Sequence, residues 1–511
     1  MHWADVVAEK LAGKAKKHVL ATAITPSGPI HVGNLREVMT TEAIYRALKD
    51  IGTEAELIYI GDTFDPLRKV YPFLPSSYEK YVGKPIAEIP CPCEEHENYA
   101  MHFLEPFLNS LEEIGVKPKI YLAHELYKEG VYNEAIKIAL DNADKIREIM
   151  KRIAGRELPD KWMPFNVKCE NCGRLDGEIT EYNYPSASYK CKVCGYEGSI
   201  DLRKGGVGKL PWRVDWPARW KIFNVTFEAF GKDHAAAGSS WDTGKEIVKA
   251  VYNHEPPMPL VYEFIHLKGR GAMHGSTGVA VAAEEVLKML PPEVLRFLFM
   301  KYEPFRHIEF DTGFGLLDLV DEYDRYERIY FGLEEETTGT KDAKRVYELS
   351  QPYKVPDKPS ALPSYRHLAV VAQIGRNFEE VVEILKRKHD LSDADLKRLK
   401  QRYEKILYWL EKYAPEEIKF HLHYEKPDVE INEDEKNFLR KLKEKFEKIE
   451  WDAEAIHSTI HETAKECDLP AKKAFQTIYK ITLAKQQGPR AGYFLQSLGR
   501  EFVLKRIGEF I

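Results

Sequence analysis

This sequence lacks three features that would each indicate a particular class of protein. No apolar run in its 511 residues reaches the roughly 18 residues that a membrane-spanning helix needs. Positive charge is not in excess, because 75 lysines and arginines face 81 aspartates and glutamates, for a formal net charge of −6. Cysteine is scarce, with seven residues. A membrane-embedded protein, a uniformly basic nucleic-acid coat and a disulfide-rich secreted scaffold are therefore excluded.

The whole chain has the composition of an ordinary globular protein, 44% hydrophobic and 31% charged. The chain is too long for one hydrophobic core, so we expect about two to four domains. Its first twenty residues, MHWADVVAEKLAGKAKKHVL, have the pattern of an amphipathic helix and not of a secretory signal. We therefore expect a cytoplasmic location and no membrane partner.

Short apolar segments alternate with helical patterns from residue 18 to about 280. The strand candidates are HVLATAIT, EAELIYIGD, KIYLAHEL, NVTFEAFG and LVYEFIHLKG. This alternation is typical of a Rossmann-type α/β domain with a parallel sheet. Cysteines, histidines and turns interrupt the pattern over 66–215. The α/β domain is thus predicted in two halves, 1–65 and 216–285, separated by an insertion at 66–215.

The rest of the chain has a mostly helical pattern. A proline-rich segment, QPYKVPDKPSALPS at 351–364, marks a domain boundary. Beyond it, Asn432 and Glu435 form a capping box ahead of a helix. We predict a connecting region at 286–350 and an all-α domain at 351–511.

Six of the seven cysteines and histidines near them form two candidate metal sites. Cys169 and Cys172 form one C-x-x-C pair, Cys191 and Cys194 form a second, and 18 residues separate the pairs. That spacing is typical of a closed, structural zinc site with four thiolate ligands. A second site is predicted in CPCEEHENYAMH, although these residues also suit an exposed surface segment. Its candidate ligands are Cys91, Cys93, His96 and His102, with Glu94 or Glu95 as a substitute.

The stretch TPSGPIHVGN, at 25–34, lies between a predicted strand and a predicted helix. A helix that begins near His31 directs its free N–H groups toward the preceding turn, which suits a phosphate. Gly28 and Gly33 allow a ligand to approach the backbone closely. The alternative is a turn histidine that bonds only its own neighbours.

GPIHVGN resembles the H-I-G-H signature of class I aminoacyl-tRNA synthetases, with His31 at the first histidine and Asn34 at the second. Further blocks in the same order resemble the class I lysyl-tRNA synthetases of archaea and some bacteria. They are GDTFDPLRKVYPFLP (61–75), GKDHAAAGSSWDTG (231–244), EFIHLKGRGAMHGSTG (263–278) and GPRAGYFL (488–495). The resemblance covers nearly the whole chain.

This resemblance implies ATP-dependent activation of L-lysine, with Mg²⁺ accompanying ATP, and transfer of lysine to tRNA(Lys). It also implies a Rossmann catalytic domain with a zinc-bearing insertion, a connecting stem and an α-helical anticodon-binding domain. The implied catalytic residues are His31, Asn34, Lys268, Arg270 and Ser276. ATP would also contact Pro26, Gly28, Gly33, Asp233 and Met273. The amino-acid site would contain Thr25, Asp62, Asp65, Trp220 and His234, and the anticodon site Arg490 and Tyr493. As plain structure, the three aspartates could instead cap helices.

The sequence departs from the family pattern at the second signature, K-M-S-K-S. AMHGS, residues 272–276, occupies its place, so neither signature lysine is present. Lys268 and Arg270 lie just upstream and are the candidate substitutes. The alternative is a loop of reduced catalytic power.

The helical region contains basic and aromatic residues that could hold phosphates and stack on unpaired bases. One helix, SDADLKRLKQRYEKILYWLEKY, places Arg402 and Lys405 among Tyr403 and Trp409. A solvated helix face over an aromatic core would explain the same residues.

Three alternative functions remain at this level. A class I synthetase for arginine, glutamate or cysteine would share the catalytic blocks. A small-molecule nucleotidyltransferase can share the H-x-G-H turn, although it has no need of a helical RNA-binding domain. A zinc-ribbon RNA-binding protein with an inactive nucleotide fold would explain the missing lysines.

The role of His31 can be tested by His31→Ala. We expect the rate of amino-acid activation to fall at least about tenfold, because a donor to the charge that develops on the phosphate is lost. The free energy of unfolding should change little. Pyrophosphate exchange measures the rate, and an unchanged rate would remove His31 from the mechanism.

Overall fold

The computed structural model describes residues 1–269, 271–272 and 280–511. They fall into two compact units. Unit 1 comprises Met1–Val286, Leu295–Phe310 and Thr337–Val355, and unit 2 comprises Leu287–Val294, Asp311–Glu336 and Pro356–Ile511. Among the described residues, no helix is both long and apolar enough to cross a membrane.

The strands of the described chain are β1 (Lys17–Ile24), β2 (Glu54–Gly61), β3 (Lys119–Leu122), β4 (Asn166–Val167), β5 (Gly177–Asn183), β6 (Ser186–Cys191), β7 (Glu197–Asp201), β8 (Gly208–Lys209), β9 (Phe227–Gly231), β10 (Met258–Tyr262), β11 (Ile265–Leu267), β12 (Gly271–Ala272) and β13 (Ile308–Phe310).

The helices are α1 (Trp3–Ala12), α2 (Val32–Asp50), α3 (Tyr99–Glu113), α4 (Ala123–Lys128), α5 (Asn133–Asp141), α6 (Ala143–Ala154), α7 (Trp212–Phe223), α8 (Lys232–Ala235), α9 (Ser240–Ala250), α10 (Ala283–Met289), α11 (Pro292–Met300), α12 (Phe314–Tyr330), α13 (Ala343–Ser350), α14 (Tyr365–Ile374), α15 (Phe378–Lys386), α16 (Asp393–Lys412), α17 (Glu433–Phe446), α18 (Ala453–Glu466), α19 (Ala471–Leu483), α20 (Ala491–Leu498) and α21 (Arg500–Gly508).

A parallel five-stranded sheet is the centre of unit 1. Its order is β10-β9-β1-β2-β3, and all four pairings are parallel. The strands read as apolar runs because helices cover a parallel sheet on both faces. Each of the five predicted strands contributes to this sheet, which confirms the predicted α/β fold class.

One strand prediction needs a correction. LVYEFIHLKG forms two strands, because the chain leaves the parallel sheet after Tyr262. Glu263 N–H instead donates to Pro304 O at 2.9 Å, and β11 pairs with β13 and β12 in a separate three-stranded sheet. Local periodicity cannot show this change of partner, since both halves are equally apolar.

A second five-stranded sheet, with the order β7-β6-β5-β4-β8, lies within the predicted insertion. Its pairings are antiparallel, and it carries the two C-x-x-C pairs. Between residues 66 and 215 the chain also returns to the parallel sheet at β3. The domain boundaries drawn from the sequence stay a prediction.

Unit 2 consists of helices and connecting segments among its described residues, around a core to which α17, α18, α19, α20 and α21 all contribute. The predicted capping box is confirmed at the start of α17. Glu435 N–H donates to Asn432 Oδ1 at 2.9 Å, and Asn432 N–H donates to Glu435 Oε2 at 3.0 Å. Phe438 and Leu442 follow on the buried face of the helix.

Gly115 provides a test of packing in unit 1. A Cβ there would lie 1.9 Å from Pro352 O, on a backbone with φ +73°. Gly52 has a similar φ of +76° with no atom within 4 Å of its Cβ position. Left-handed backbone should cost both alanine variants about 1–2 kcal/mol. Gly115→Ala should lose about 1–3 kcal/mol more through the steric clash.

Urea unfolding followed by tryptophan fluorescence measures this difference, since six of the eight tryptophans lie in residues 1–286. Equal stability of Gly115→Ala and Gly52→Ala would contradict the close approach to Pro352.

Candidate active site

The carboxyl ends of the parallel strands bring together most of the predicted site residues. Thr25 follows β1, Asp62 follows β2 and Asp233 follows β9. The chain runs outward from β1 to β2 and β3 on one side, and later from β9 to β10 on the other. This reversal between β1 and β9 creates the crevice in which open α/β sheets bind ligands.

The two predicted phosphate-binding segments meet at the start of α2. Val32 N–H donates to Val281 O at 3.0 Å, and Ala283 N–H donates to Ile30 O at 3.2 Å. These bonds join the turn that contains His31 to the residues that directly follow the second loop. About 250 residues separate the two segments in the sequence, so only the tertiary fold brings them together.

The residues of the first segment are held from several sides. His31 is the N-cap residue of α2, and its backbone N–H donates to Asn34 Oδ1 at 3.2 Å. Asn34 therefore caps the helix with its amide oxygen. Tyr99 donates its hydroxyl to Ser27 O at 2.7 Å, between Pro26 and Gly28.

The second segment is described only in part. Lys268 follows β11, and its backbone N–H donates to Phe310 O at 2.9 Å. Arg270, Met273 and Ser276 lie outside the described residues. Their predicted roles stay predictions.

Five charged side chains form a network below this edge of the sheet. Arg219 donates both terminal nitrogens to Asp62, with Nη1 at 3.1 Å from Oδ2, and donates Nε to Asp215 at 2.5 Å. Lys209 Nζ lies 2.7 Å from Asp65 Oδ1 and 3.3 Å from Asp215 Oδ2. We call these residues the five-charge network.

The five-charge network carries three carboxylates and two cations. Burial would raise the pKa of Asp215, but the positive charges of Arg219 and Lys209 outweigh burial and lower it. Burial has the opposite outcome at Asp62, whose pKa it raises despite the positive charges of Arg219 and Lys209. Asp65 is the most exposed member of the network, 15% exposed, and accepts the Thr25 hydroxyl at 2.9 Å. Asp65 and Thr25 therefore form the accessible edge of the network.

A second acidic position, Glu37, lies in the second turn of α2. Glu37 Oε1 accepts Ala23 N–H at 2.8 Å, and Oε2 accepts the Tyr262 hydroxyl at 3.2 Å. Burial, reinforced by the nearby charges of Glu228 and Asp62, raises the pKa of Glu37 to about 8. Glu37 is nevertheless partly exposed. A bound cation would favour its ionised form.

Indole rings form an aromatic wall beside the acids. Glu228 accepts Nε1–H of Trp216 at 3.0 Å and of Trp220 at 2.6 Å. Trp220, predicted in the amino-acid site, is fully buried. Trp212 is partly exposed, stacks on Trp216 at 5.2 Å and lies 6.0 Å from the ring of His234. Trp241, which packs against Trp216 and Trp220, is also partly exposed, so Trp212 and Trp241 are the indoles of this group that reach the surface.

Asp233 extends from the carboxyl end of β9 into solvent. Its side chain is 59% exposed, and one carboxylate oxygen lies 3.7 Å from His234 Nε2. His234 Nδ1 is 3.4 Å from the Ser240 hydroxyl. An exposed carboxylate at this strand end suits an acceptor for ribose hydroxyls.

The sequence analysis missed Glu37, Lys209, Asp215 and Arg219. Glu37 follows Asn34 by three residues and lies on the same helix face. Helical periodicity could therefore have predicted that Glu37 lies near the site. Asp215 and Arg219, four residues apart, are recognisable as a helical ion pair. Nothing local connects either of them to Lys209 or Asp62.

The geometry of the four C-x-x-C cysteines fits one metal ion. Their sulfur atoms all lie within 4.8 Å of one another. Cys169 Sγ is 3.6 Å from Cys194 Sγ, and Cys172 Sγ is 3.7 Å from Cys191 Sγ. Sulfurs bound tetrahedrally at about 2.3 Å from a zinc ion would be about 3.8 Å apart.

The second cluster likewise brings four ligand atoms together. Cys91, Cys93, His96 and His102 form the group, which does not contain Glu95. His102 Nδ1 is 3.3 Å from Cys91 Sγ and 3.1 Å from Cys93 Sγ. His96 Nδ1 is 3.4 Å from Cys93 Sγ. Two sulfurs and two nitrogens at these distances could hold a metal ion.

In unit 2, Arg490 and Tyr493 line a cavity of about 630 Å³ together with His457 and Phe475. Two of the basic and aromatic residues predicted on α16, Arg402 and Trp409, bond within unit 2. Arg402 is buried and bonded to Asp324 within unit 2. Trp409 Nε1–H donates to Thr312 O at 2.7 Å, so this part of α16 packs inward.

Known proteins resemble the whole chain. A family model described as tRNA synthetases class I (K) matches residues 1–353, and one described as an anticodon binding domain matches residues 367–511. The lysine–tRNA ligase of Picrophilus torridus is 44% identical over 512 residues, covering 100% of this chain and 99% of its own. That of Methanocaldococcus jannaschii is 46% identical over 533 residues, with 100% of both chains covered. That of Archaeoglobus fulgidus is 45% identical over 510 residues, with 99% of both covered.

The two clusters predict two metal ions per chain, measurable by plasma mass spectrometry of the purified protein. Cys191→Ser should remove one ion and Cys91→Ser the other, because each site loses a buried thiolate. Cys467, which belongs to neither cluster, provides the control: Cys467→Ser should retain both ions. Unchanged metal content in Cys191→Ser and Cys91→Ser would contradict both sites.

Proposed function

The chain belongs to the class I (K) tRNA synthetase family, and from this premise we propose how its residues activate L-lysine with ATP and transfer it to tRNA(Lys). The lysine carboxylate attacks the α-phosphorus of ATP and pyrophosphate leaves. A hydroxyl of the terminal tRNA ribose then attacks the carbonyl of the adenylate, and AMP leaves. Such reactions depend on positioning and on stabilisation of developing charge.

Two acidic positions match the two ammonium groups of lysine, and this observation carries the substrate assignment. Asp65, the most exposed carboxyl of the five-charge network, binds the α-ammonium together with Thr25. Asp62 is already bonded to Arg219 and acts by fixing the network. Glu37 and Tyr262 receive the ε-ammonium. Trp212, His234 and the buried Trp220 behind them line the aliphatic part of the side chain.

The phosphates of ATP lie between the two joined segments. His31 and the N–H groups at the start of α2 contact them from one side, with Gly28 and Gly33 permitting close approach. Asn34 positions the helix end. On the other side, Lys268 and Arg270 replace the missing signature lysines, and Ser276 contacts the phosphates from the same loop. Pro26, Asp233 and Met273 hold the nucleoside, and Mg²⁺ accompanies the phosphates.

Both cysteine-containing clusters are proposed as zinc sites. Four thiolates at Cys169, Cys172, Cys191 and Cys194 leave no open coordination position, so the ion is structural. At the second site Cys91, Cys93, His96 and His102 supply the ligands.

We assign anticodon binding to the α-helical domain, with Arg490 and Tyr493 as contacts. The presence of tRNA(Lys), ATP and L-lysine as substrates fits a cytoplasmic location. The domain division is 1–65 with 216–285 for catalysis, 66–215 for the insertion, 286–350 for the stem and 351–511 for the anticodon.

Amino-acid-dependent pyrophosphate exchange tests the assignment, with tRNA present because some class I enzymes require it. Lysine should support exchange, whereas arginine, glutamate and cysteine should not. Exchange with one of those and not with lysine would identify a different synthetase. Tight tRNA binding without AMP formation under any condition would favour the RNA-binding alternative.

The elevated pKa of Glu37 predicts a pH-dependent affinity for lysine. Below its pKa of about 8 the carboxyl is protonated in the free enzyme, and lysine must displace this proton to form the ion pair. Affinity should therefore rise about tenfold per pH unit between about pH 6 and 7.5, and level off above pH 8. Calorimetry in buffers of different ionisation enthalpy measures the released proton.

Glu37→Gln should weaken lysine binding at pH 8 by about 30-fold or more, because it leaves the ammonium without its charge partner. The remaining affinity should no longer depend on pH in this range. Glu54→Gln, at an exposed position on β2, is the matched control and should behave as wild type. A pH dependence that survives in Glu37→Gln would assign the proton to another group.

A further inference from the structure

A second cavity in unit 2 lies beside the one that contains Arg490 and Tyr493. It has a volume of about 460 Å³ and is formed by the end of α15, the segment before α18 and the junction of α20 and α21. The lining residues with polar side chains are Arg387, Lys388, Trp451, Gln496, Arg500 and Glu501. We call it the cationic cavity. None of its residues belongs to a motif that the sequence analysis singled out.

Positive charge dominates the cationic cavity. Arg387, Lys388 and Arg500 face a single acid among the lining residues, Glu501. Within residues 356–511, all of which the structure describes, no ion pair involves any of the three cations. The two arginines donate to neutral backbone oxygens instead. Arg387 Nη1 donates to Ser497 O at 3.3 Å, and Arg500 Nη2 donates to Ile449 O.

Two further donors are buried without an acceptor in the part of the chain that the structure describes. They are Nε1–H of Trp451 and Nε–H of Arg500. The two groups are neighbours, because the Arg500 guanidinium lies 5.6 Å from the centre of the Trp451 ring. A buried donor without an acceptor is costly, and native proteins rarely contain one. These two donors therefore lack acceptors, and a ligand rich in anionic oxygens would supply them.

Helix α20 separates this cavity from its neighbour. We call the neighbour, which contains Arg490 and Tyr493, the aromatic cavity. It is also lined by Ala491 and Gly492, whereas Gln496 and Leu498 line the cationic cavity. At a rise of about 1.5 Å per residue, Tyr493 and Gln496 are about 4.5 Å apart along the helix. An aromatic cavity beside a cationic one is the arrangement that binds single-stranded nucleic acid, with bases stacked and backbone charges neutralised.

From this arrangement we propose that the cationic cavity binds a phosphodiester group of the tRNA anticodon arm, next to a base held in the aromatic cavity. The inference rests on the proposed function, since it takes tRNA as the polyanion. Lys388 contributes mainly charge, because it is exposed. Trp451 contributes a neutral hydrogen bond, so the two residues affect binding in different ways.

The test compares Lys388→Ala with Trp451→Phe in the full chain, by fluorescence anisotropy of labelled tRNA(Lys) over a salt series. Lys388→Ala should weaken binding about threefold to tenfold. The negative slope of log affinity against log salt should become shallower by about 0.7, the value for one single-strand phosphate. Trp451→Phe should weaken binding by a similar factor with the slope unchanged, since no charge is lost. Lys358→Ala, at another exposed lysine of unit 2, is the control and should match wild type.

Two outcomes would overturn the proposal. In the first, Lys388→Ala and Trp451→Phe retain wild-type affinity and slope. In the second, inorganic phosphate binds the wild type but not Lys388→Ala in calorimetry, while both bind tRNA equally. The cavity would then serve a free anion. Charging of tRNA(Lys) with lysine by the wild type is measured in parallel, so that failure of the proposed function is distinguished from failure of this inference.

Discussion

Arg219 and Lys209 place two positive charges among two buried carboxylates and the partly exposed Asp65, and the arrangement of unit 1 depends on this network. Removing one partner from a buried ion pair typically costs about 3–5 kcal/mol, because the other charge remains buried without compensation. The partners come from the end of β2, from β8 and from α7. Lys209 also pairs with Asn166 of β4, three residues before Cys169. The network thus connects the sheet that carries the two C-x-x-C pairs to the carboxyl edge of the parallel sheet.

Two kinds of acid lie at this edge of the sheet. Asp62 and Asp215 are bonded to Arg219, and Lys209 lies beside Asp215 and Asp65. Burial raises the pKa of Glu37 to about 8, and in the proposed function a bound cation would favour its ionised form. An uncharged or acidic side chain would leave Glu37 and Tyr262 without a cationic partner.

Much of this protein follows from local sequence patterns, for reasons that are themselves local. A buried parallel strand requires an apolar run, a helix start requires a cap, and a tetrahedral thiolate site requires paired cysteines. The five strands, the Asn432–Glu435 capping box and the two cysteine-containing groups could be predicted for this reason. The division of LVYEFIHLKG into β10 and β11 could not, because it depends on where Pro304 and β13 lie. The inward packing of Arg402 and Trp409 likewise depends on neighbours distant in sequence.

By itself the sequence determined the fold class, the family and the residue types available for chemistry. Only the tertiary structure decided which of those residues act together. It joined Ile30 and Val32 to residues 281–283 and paired Asp62 with Arg219. It also buried Trp220 and left Trp212 partly exposed. The physical reason is that ion pairing and burial depend on distance in space. Glu37, Lys209 and Arg219 are separated by up to 182 residues in the chain. No periodicity indicates that Glu37 bonds β1 while the other two bond the segment that follows β2.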